Sequence, residues 1–410
     1  MSRANEPHTC NFCGKSKEDV EKLIVGSDVG ICNECVDLCS SILKDEKVKE
    51  FPFYDEKKKY NPAKIKEYLD DFVIGQSKAK IALSVGVTQH YKRIFNPSND
   101  IELEKTNLLI LGPTGCGKTM MAKKIAEFLD IPIAICDATG LTEAGYVGDD
   151  VESILSRLLS VADGDVEKAQ RGIVFIDEID KIARKGENVS TTRDVGGEGV
   201  QQALLKIIEG AVVKVPTSGK RKHPKGEYVE IDTSNILFIC SGAFVGIEKI
   251  IENRTSESSL GFTNRPIVDK KGVKNYEMCT TKDLINFGLI PEFVGRFGLT
   301  VHVNELAVED LIRILKEPKN SIIRQYQYIF KLDGVDLKFE DSALKAIAEK
   351  AKTLNTNARG LKQIVESILL DYQFDSMSLV ERGLKQIVIS KDTVCGGNAV
   401  LIFDEEYVQK

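Results

Sequence analysis

Residues 112–119 read Gly112-Pro113-Thr114-Gly115-Cys116-Gly117-Lys118-Thr119, a full G-x-x-x-x-G-K-[ST] pattern. No other feature limits the fold so tightly. Such a loop works only between a buried strand and a helix. Its glycines let backbone N–H groups curl around phosphate oxygens, and the helix adds the positive end of its dipole. The flanks supply both elements. Asn107-Leu108-Leu109-Ile110-Leu111 is a short apolar run suited to a buried strand. Thr119 to Leu129 reads as a helix with Met121, Ile125, Phe128 and Leu129 at helical spacing. Lys118 is expected to neutralise the β- and γ-phosphates and the Thr119 hydroxyl to ligate Mg²⁺. Residues 112–119, with Met120 beside them, form the expected nucleotide-binding loop.

Gly172-Ile173-Val174-Phe175-Ile176-Asp177-Glu178 is an apolar strand ending in two acids. Asp177 is expected to hold Mg²⁺, directly or through water, and Glu178 to orient and polarise the attacking water. Acids are also common as caps at strand-to-helix turns, so the pair alone leaves both readings open. After a complete phosphate loop it points to hydrolysis.

At 410 residues the chain is expected to hold roughly two or three domains, and 42% hydrophobic residues are enough for sizeable cores. A net charge of −6 weighs against a surface coated by nucleic acid. There is no apolar run long enough to span a bilayer, and the start, Met1-Ser2-Arg3-Ala4-Asn5-Glu6, is too polar for a signal peptide. A cytosolic location is expected, where structural disulfides are rare. The ten cysteines therefore need another account. Cys10-x2-Cys13, an interval of eighteen residues, then Cys32-x2-Cys35 fits two zinc knuckles. Four thiolates complete a tetrahedron with no open position, so this Zn²⁺ is expected to be structural. A pair of redox-active Cys-x-x-Cys motifs is the alternative. His8 and Cys39 stand nearby as substitute ligands, although Cys39 reads as helix-face packing. Cys116, Cys136, Cys240, Cys279 and Cys395 read as ordinary small residues.

These signals divide the chain into a zinc-binding module (1–46), a charged linker (47–62), a large parallel-sheet nucleotide domain (63–304) and a smaller, mainly helical domain (305–410). Lys57-Lys58-Lys59 belongs to the linker and reads as solvated. The expected buried strands are 107–111, 131–136, 172–176, 235–240 and 299–303. In the smaller domain, 308–330, 341–353 and 360–372 read as helices, and 386–389 and 399–403 as strands. Residues 183–200 and 214–232 are polar, contain glycine and exceed ordinary connections, which marks them as functional loops.

In combination the chain resembles the AAA+ ATPases, and among them the ATP-binding unfoldase subunits of the Clp protease. The likeness runs from the four-cysteine module through Val73-Ile74-Gly75-Gln76, the phosphate loop, Gly145-Tyr146-Val147-Gly148 and the Asp177-Glu178 strand. It continues through residues 196–205, Gly295-Arg296-Phe297 and Ala358-Arg359-Gly360-Leu361. The fold it implies is α/β: a P-loop AAA+ parallel-sheet domain followed by a small mainly helical domain, with an N-terminal four-cysteine zinc module. The cofactors it implies are ATP, Mg²⁺ and structural Zn²⁺.

The same resemblance assigns residues. Val73 and Ile74 resemble the segment that packs on adenine, an apolar, β-branched pair suited to that face; ordinary core is the alternative. Arg296 resembles an arginine finger that enters the neighbouring subunit's site, whereas from the residues alone a surface salt bridge is the stronger reading. Arg359 resembles the sensor that couples the phosphates to the interdomain angle, with Asn357 in place of an expected glycine; an interdomain ion pair is its alternative. Tyr146 and Val147 resemble a pore loop gripping an extended polypeptide, and Arg193 lies in a second such loop. Arg221-Lys222-His223 resembles a pore entrance that attracts an acidic or carboxylate-ending tag. As plain sequence, these are surface turns. Leu260-Gly261-Phe262, apolar within a Ser-rich loop, resembles the tripeptide that docks on the peptidase, or else folds back on its own domain.

The implied partners are a homo-hexamer of this chain, a ClpP-type peptidase, and unfolded or tagged protein substrates with adaptors. The implied activity is ATP-driven unfolding and threading, with service as a free chaperone; no protease signature is present. A nucleic-acid-translocating AAA+ motor is the alternative, disfavoured by the mild acidity and the lack of basic and stacking rows. A small-molecule P-loop kinase lacks an evident acceptor site.

Overall fold

In the computed structural model, residues 9–26, 29–40, 60–96, 100–142, 149–184, 197–216, 228–257 and 276–404 are described. They fall into two units, Met1–Lys59 and Tyr60–Lys410. In the first, β1 (Leu23–Val25) pairs antiparallel with β2 (Gly30–Cys32), and a helix follows over 33–40. Its buried core is Cys10, Cys32 and Cys35, with Val20, Leu23 and Ile31 packed against them. So little apolar area cannot offset the entropy of ordering the chain, and the cysteines must supply the rest.

The second unit is built on five parallel strands: β3 (Asn107–Leu111), β4 (Ile133–Asp137), β5 (Ile173–Asp177), and two that close the sheet after a hairpin. The hairpin is β6 (Val212–Pro216) with β7 (Tyr228–Asp232). The closing strands are β8 (Leu237–Gly242) and β9 (Phe297–His302), and the order across the sheet is β9-β3-β8-β5-β4. Every residue of β3 and β8 is buried, which requires continuous apolar runs rather than alternation. Leu108, Ile110, Phe175 and Ile239 face one cluster, while Leu109, Leu111, Ile176 and Phe238 face the other. Helices α1 (Pro62–Asp70), α2 (Ser77–Phe95) and α3 (Lys118–Leu129) bury their apolar stripes on the first face. Helices α4 (Ser153–Val161) and α5 (Glu198–Glu209) cover the second. Each fully buried Leu or Ile contributes roughly 1.5–3 kcal/mol, so this sheet is the rigid base of the unit.

The C-terminal lobe packs helices α6 (Val308–Lys316), α7 (Ile322–Leu332), α8 (Asp341–Thr353) and α9 (Asn357–Glu381) around a three-stranded sheet. Its strands are β10 (Asp336–Phe339), β11 (Leu384–Ile389) and β12 (Val400–Phe403), with β11 central. Leu311, Leu344, Leu361 and Ile387 join the same cluster that covers the first face of the main sheet. The lobe is helical as expected, with differences of detail. The expected single helix over 308–330 is two, because Pro318 lacks an N–H and disfavours helix at Glu317; Ser321 then caps α7. The helix expected over 360–372 runs twice as far. The strand Asp336–Phe339 was not expected: four residues with one buried apolar position, Leu337, give no period to read. Pro62, placed in the linker by the sequence, is the first residue of α1, where its fixed φ favours a helix start and Asn61 caps Ala63 (2.9 Å). Part of each expected long loop is also ordered. Residues 198–200 begin α5, and Val213, Val215, Val229 and Ile231 point inward on β6 and β7.

Candidate nucleotide site and metal site

The loop between β3 and α3 is shaped by what surrounds it. Gly112 has φ 145°, and a Cβ there would stand 2.2 Å from the Val303 carbonyl oxygen. Gly115, at φ 77°, would bring a Cβ within 2.9 Å of Thr356 O, so the C-terminal lobe forms part of the loop's wall. Only glycine fits either position. Asn357 closes the contact: its Nδ2 donates to Thr114 O (3.0 Å) from a left-handed backbone, φ 48°. The expected glycine is thus replaced by a residue that tolerates the same conformation.

Lys118 Nζ donates to the carbonyls of Gly112 (2.6 Å) and Pro113 (3.0 Å). Burial holds its pKa below the usual lysine range; Asp177, Cys116 and Asp180 pull it up, and the Arg359 guanidinium lowers it again. A buried ammonium with two neutral partners is a strong site for a phosphate oxygen. Arg359, in the first turn of α9, is exposed and close enough to act on that charge.

Asp177, at the end of β5, ties three elements together. Its Oδ2 accepts from Thr119 Oγ1 (3.0 Å), and its Oδ1 accepts from Ser241 Oγ (2.5 Å) and the Glu178 N–H (3.0 Å). Oxygens at neighbouring corners of a Mg²⁺ octahedron with ~2.1 Å bonds lie about 3 Å apart. The Thr119–Asp177 separation of 3.0 Å therefore fits that ion. Glu178 follows with φ 56°, left-handed for a non-glycine residue, a conformation that costs on the order of 1 kcal/mol and concentrates at functional sites. Two residues here were missed by the sequence reading. Ser241 orients Asp177, and buried Asp180 accepts from the Ala243 N–H (3.0 Å), fixing the loop after β8. The available signal was a polar residue ending the apolar run Leu237–Cys240 at the carboxyl edge of the sheet, where such folds bind ligands.

Val73 and Ile74 are buried beside the loop, and a Cβ on Gly117 would lie 3.6 Å from Val73. They help line a cavity of about 330 Å³ that Arg313 and Lys319 close from the C-terminal lobe. Met120 is half exposed. Arg296 lies apart from these groups, directly before β9. Within the single chain it is half exposed and pairs with Glu209 at 2.5 Å, the salt bridge its residues alone suggested. Tyr146, Val147, Arg193, Arg221, Lys222, His223 and the tripeptide Leu260-Gly261-Phe262 lie outside the described residues, as does His8.

In the N-terminal unit the Sγ atoms of Cys10, Cys13, Cys32 and Cys35 all lie within 4.8 Å of one another, with Cys13 and Cys32 at 3.6 Å. Thiolates around Zn²⁺ at ~2.3 Å stand about 3.8 Å apart, so the cluster fits one tetrahedral ion. Burial and the neighbouring thiols push Cys35 up, whereas at Cys10 the backbone N–H groups of Cys13, Cys32 and Phe12 outweigh burial and bring the thiol down. Those donors favour the thiolate a metal needs. Cys39 is half buried on the helix over 33–40 and lies outside the cluster. Among the described residues no helix is long and apolar enough to cross a membrane.

Known proteins match the chain in both regions. A family model described as the ClpX C4-type zinc finger matches residues 8–45, and one described as AAA domain (Cdc48 subfamily) matches 103–300. A Treponema denticola protein named ATP-dependent Clp protease ATP-binding subunit ClpX is 52% identical over 390 residues, covering 94% of this chain and 93% of the relative. Proteins of the same name from Borrelia duttonii and Borrelia recurrentis are each 49% identical over 414 residues, covering 100% of this chain and 96% of theirs.

Proposed function

Because the chain belongs to the ClpX family of AAA ATPases, we propose that it unfolds protein substrates at the expense of ATP and threads them into a ClpP-type peptidase. The chain is an ATPase that uses ATP and Mg²⁺ and carries a structural Zn²⁺. The observation that carries the mechanism is the convergence on Asp177 of Thr119 from the phosphate loop and Ser241 from β8.

When bound between Thr119 and Asp177, Mg²⁺ supplies positive charge against the phosphates. Lys118 exchanges its two carbonyl partners for phosphate oxygens. Glu178, the next residue after the metal-binding carboxylate, accepts a proton from the attacking water and orients it. Val73 and Ile74 offer the base an apolar wall. Arg359 and Asn357 tie the C-terminal lobe to the phosphate loop, so nucleotide occupancy biases the lobe's orientation.

The remaining parts of the proposal concern assembly. Six copies form a ring in which Arg296 leaves Glu209 for the neighbouring site. Tyr146 and Val147 grip the threaded chain, with Arg193 and Arg221-Lys222-His223 admitting an acidic tag. Leu260-Gly261-Phe262 docks the ring on the peptidase. We place the boundary between the large and small domains at residues 304/305, and the work in the cytoplasm, with adaptors choosing substrates and the free ring acting as a chaperone. The test is ATP-dependent loss of fluorescence from a tagged, stably folded fluorescent protein. ATPase activity that responds to single-stranded DNA and leaves that protein folded would replace this reading with a nucleic-acid motor.

A further inference from the structure

The chain passes from the main sheet to the C-terminal lobe through a single residue. Val303 is still tied to the sheet, its N–H donating to Leu111 O (2.8 Å). Glu305 and Leu306 already belong to the lobe: Lys352 Nζ, on α8, holds the Glu305 carboxylate at 2.7 Å and the Leu306 carbonyl at 3.1 Å. Asn304 between them is the pivot. Both of its backbone polar groups are taken by one side chain. The Asn304 N–H donates to Gln76 Oε1 (2.9 Å), and the Asn304 carbonyl accepts from Gln76 Nε2 (2.7 Å), across 228 positions of sequence. The Asn304 side chain lies near enough to the Glu277 carboxylate to help lower its pKa, and Lys78 holds that carboxylate at 2.9 and 3.0 Å.

Gln76 is unusual in its own setting. It precedes α2 with φ 55° and makes no capping bond to that helix. Its side chain is thus committed to the pivot instead of its own helix end. It also sits two residues after Ile74, in the segment whose Val73 abuts Gly117 and whose Val73 carbonyl is held by Lys80 Nζ (2.6 Å). One four-residue segment, Val73 to Gln76, therefore touches the nucleotide loop at one end and the interdomain pivot at the other.

We infer that Gln76 is a positioning residue: its side-chain amide latches the Asn304 pivot at the angle that brings Asn357 and Arg359 to the phosphate loop. The inference rests on the nucleotide-site reading above. Asn304 is exposed and Gln76 only half buried, so both bonds exchange readily with water and the latch is reversible. Its loss lets the lobe sample other angles and lowers the fraction of chains ready for nucleotide. Apparent affinity falls by that fraction, while ATP at saturation restores the angle.

The test is steady-state ATP hydrolysis by the full chain carrying Gln76→Ala or Gln76→Glu, with thermal unfolding and hydrogen exchange of the Asn304 amide. Gln76→Ala should raise KM for ATP roughly tenfold, the size expected for two exposed hydrogen bonds, with kcat within about twofold by the same argument. It should also speed exchange at Asn304 and leave the unfolding temperature unchanged. Gln76→Glu keeps the shape but sets a carboxylate oxygen against the Asn304 carbonyl, so its KM should rise at least as far; it also carries the test if the alanine variant does not fold. Unchanged KM in both variants overturns the latch. A fall in kcat at constant KM, or a lowered unfolding temperature, overturns it equally. A wild-type chain that does not bind ATP removes the nucleotide reading itself, a failure visible before any variant is compared.

Discussion

His90 gives the larger unit a defined sensitivity to acid. Its ring is 1% exposed, its Nε2 donates to Asn235 O (3.0 Å), and it stands edge-on to Tyr91 at 5.1 Å. Burial, with smaller contributions from Arg93 and Lys105, drives its pKa down from 6.5 to about 3. Between those values the folded ring is neutral and the unfolded ring takes up a proton. The fold therefore keeps its full His90 contribution above pH 6.5 and loses it progressively as pH falls toward 3. Each unit in that window costs about 1.4 kcal/mol, so at pH 4.5 the loss is roughly 3 kcal/mol. His90→Gln keeps an N–H for Asn235 O but cannot titrate. Urea unfolding of wild type and variant at pH 7.5 and 4.5 should show wild type losing roughly 3 kcal/mol more than the variant between the two conditions. Carboxylates that titrate in the same range are common to both proteins and cancel. Lys105, which burial lowers to about 7, acts in a different window, above pH 7. Equal pH slopes for the two proteins would refute the argument, since they would mean that water or a proton reaches the ring in the folded state.

Three further outcomes are expected. Metal analysis of the reduced full-length chain should give one zinc per chain, and Cys13→Ser with Cys35→Ser should abolish it; wild type without zinc would contradict the site. Glu178→Gln should retain ATP binding and lose at least about a hundredfold in turnover, the range for a general base, whereas Lys118→Ala should weaken binding itself; near-normal hydrolysis by Glu178→Gln would show the base to be elsewhere. Mixing Arg296→Ala chains with Glu178→Gln chains should restore part of the ATPase, because an intact finger can then meet an intact site, and inactivity in rings shown to be mixed would argue against a shared site.

The sequence was most legible where one signal serves both fold and chemistry. Asn107 to Leu129 had to be strand, loop and helix for the glycines to make sense, and it is. The cysteine spacing was equally readable, because thiol geometry leaves little choice once four sulfurs meet. Short elements held by distant partners were not. Asp336–Phe339 is a strand because β11 lies beside it, not because its residues demand one. Ser241 and Gln76 are ordinary polar residues until Asp177 and Asn304 are brought within 3 Å of them. Arg296 shows the opposite case: the finger role proposed for it needs a second subunit, and in the single chain its side chain pairs with Glu209.

Helix α9 begins at the phosphate loop and runs for 25 residues, about 37 Å at 1.5 Å per residue. Asn357 at its start is bonded to the loop, and Glu381 lies at the far end. A tilt of about 10° about the bonded end would carry Glu381 through about 6 Å by that length. A small change of angle at the phosphate loop would therefore become a movement of several ångströms at the far end of the helix. Under the proposed coupling of nucleotide to the lobe, Leu370, Phe374 and Met377, all exposed, would be carried on the outer part of that arm.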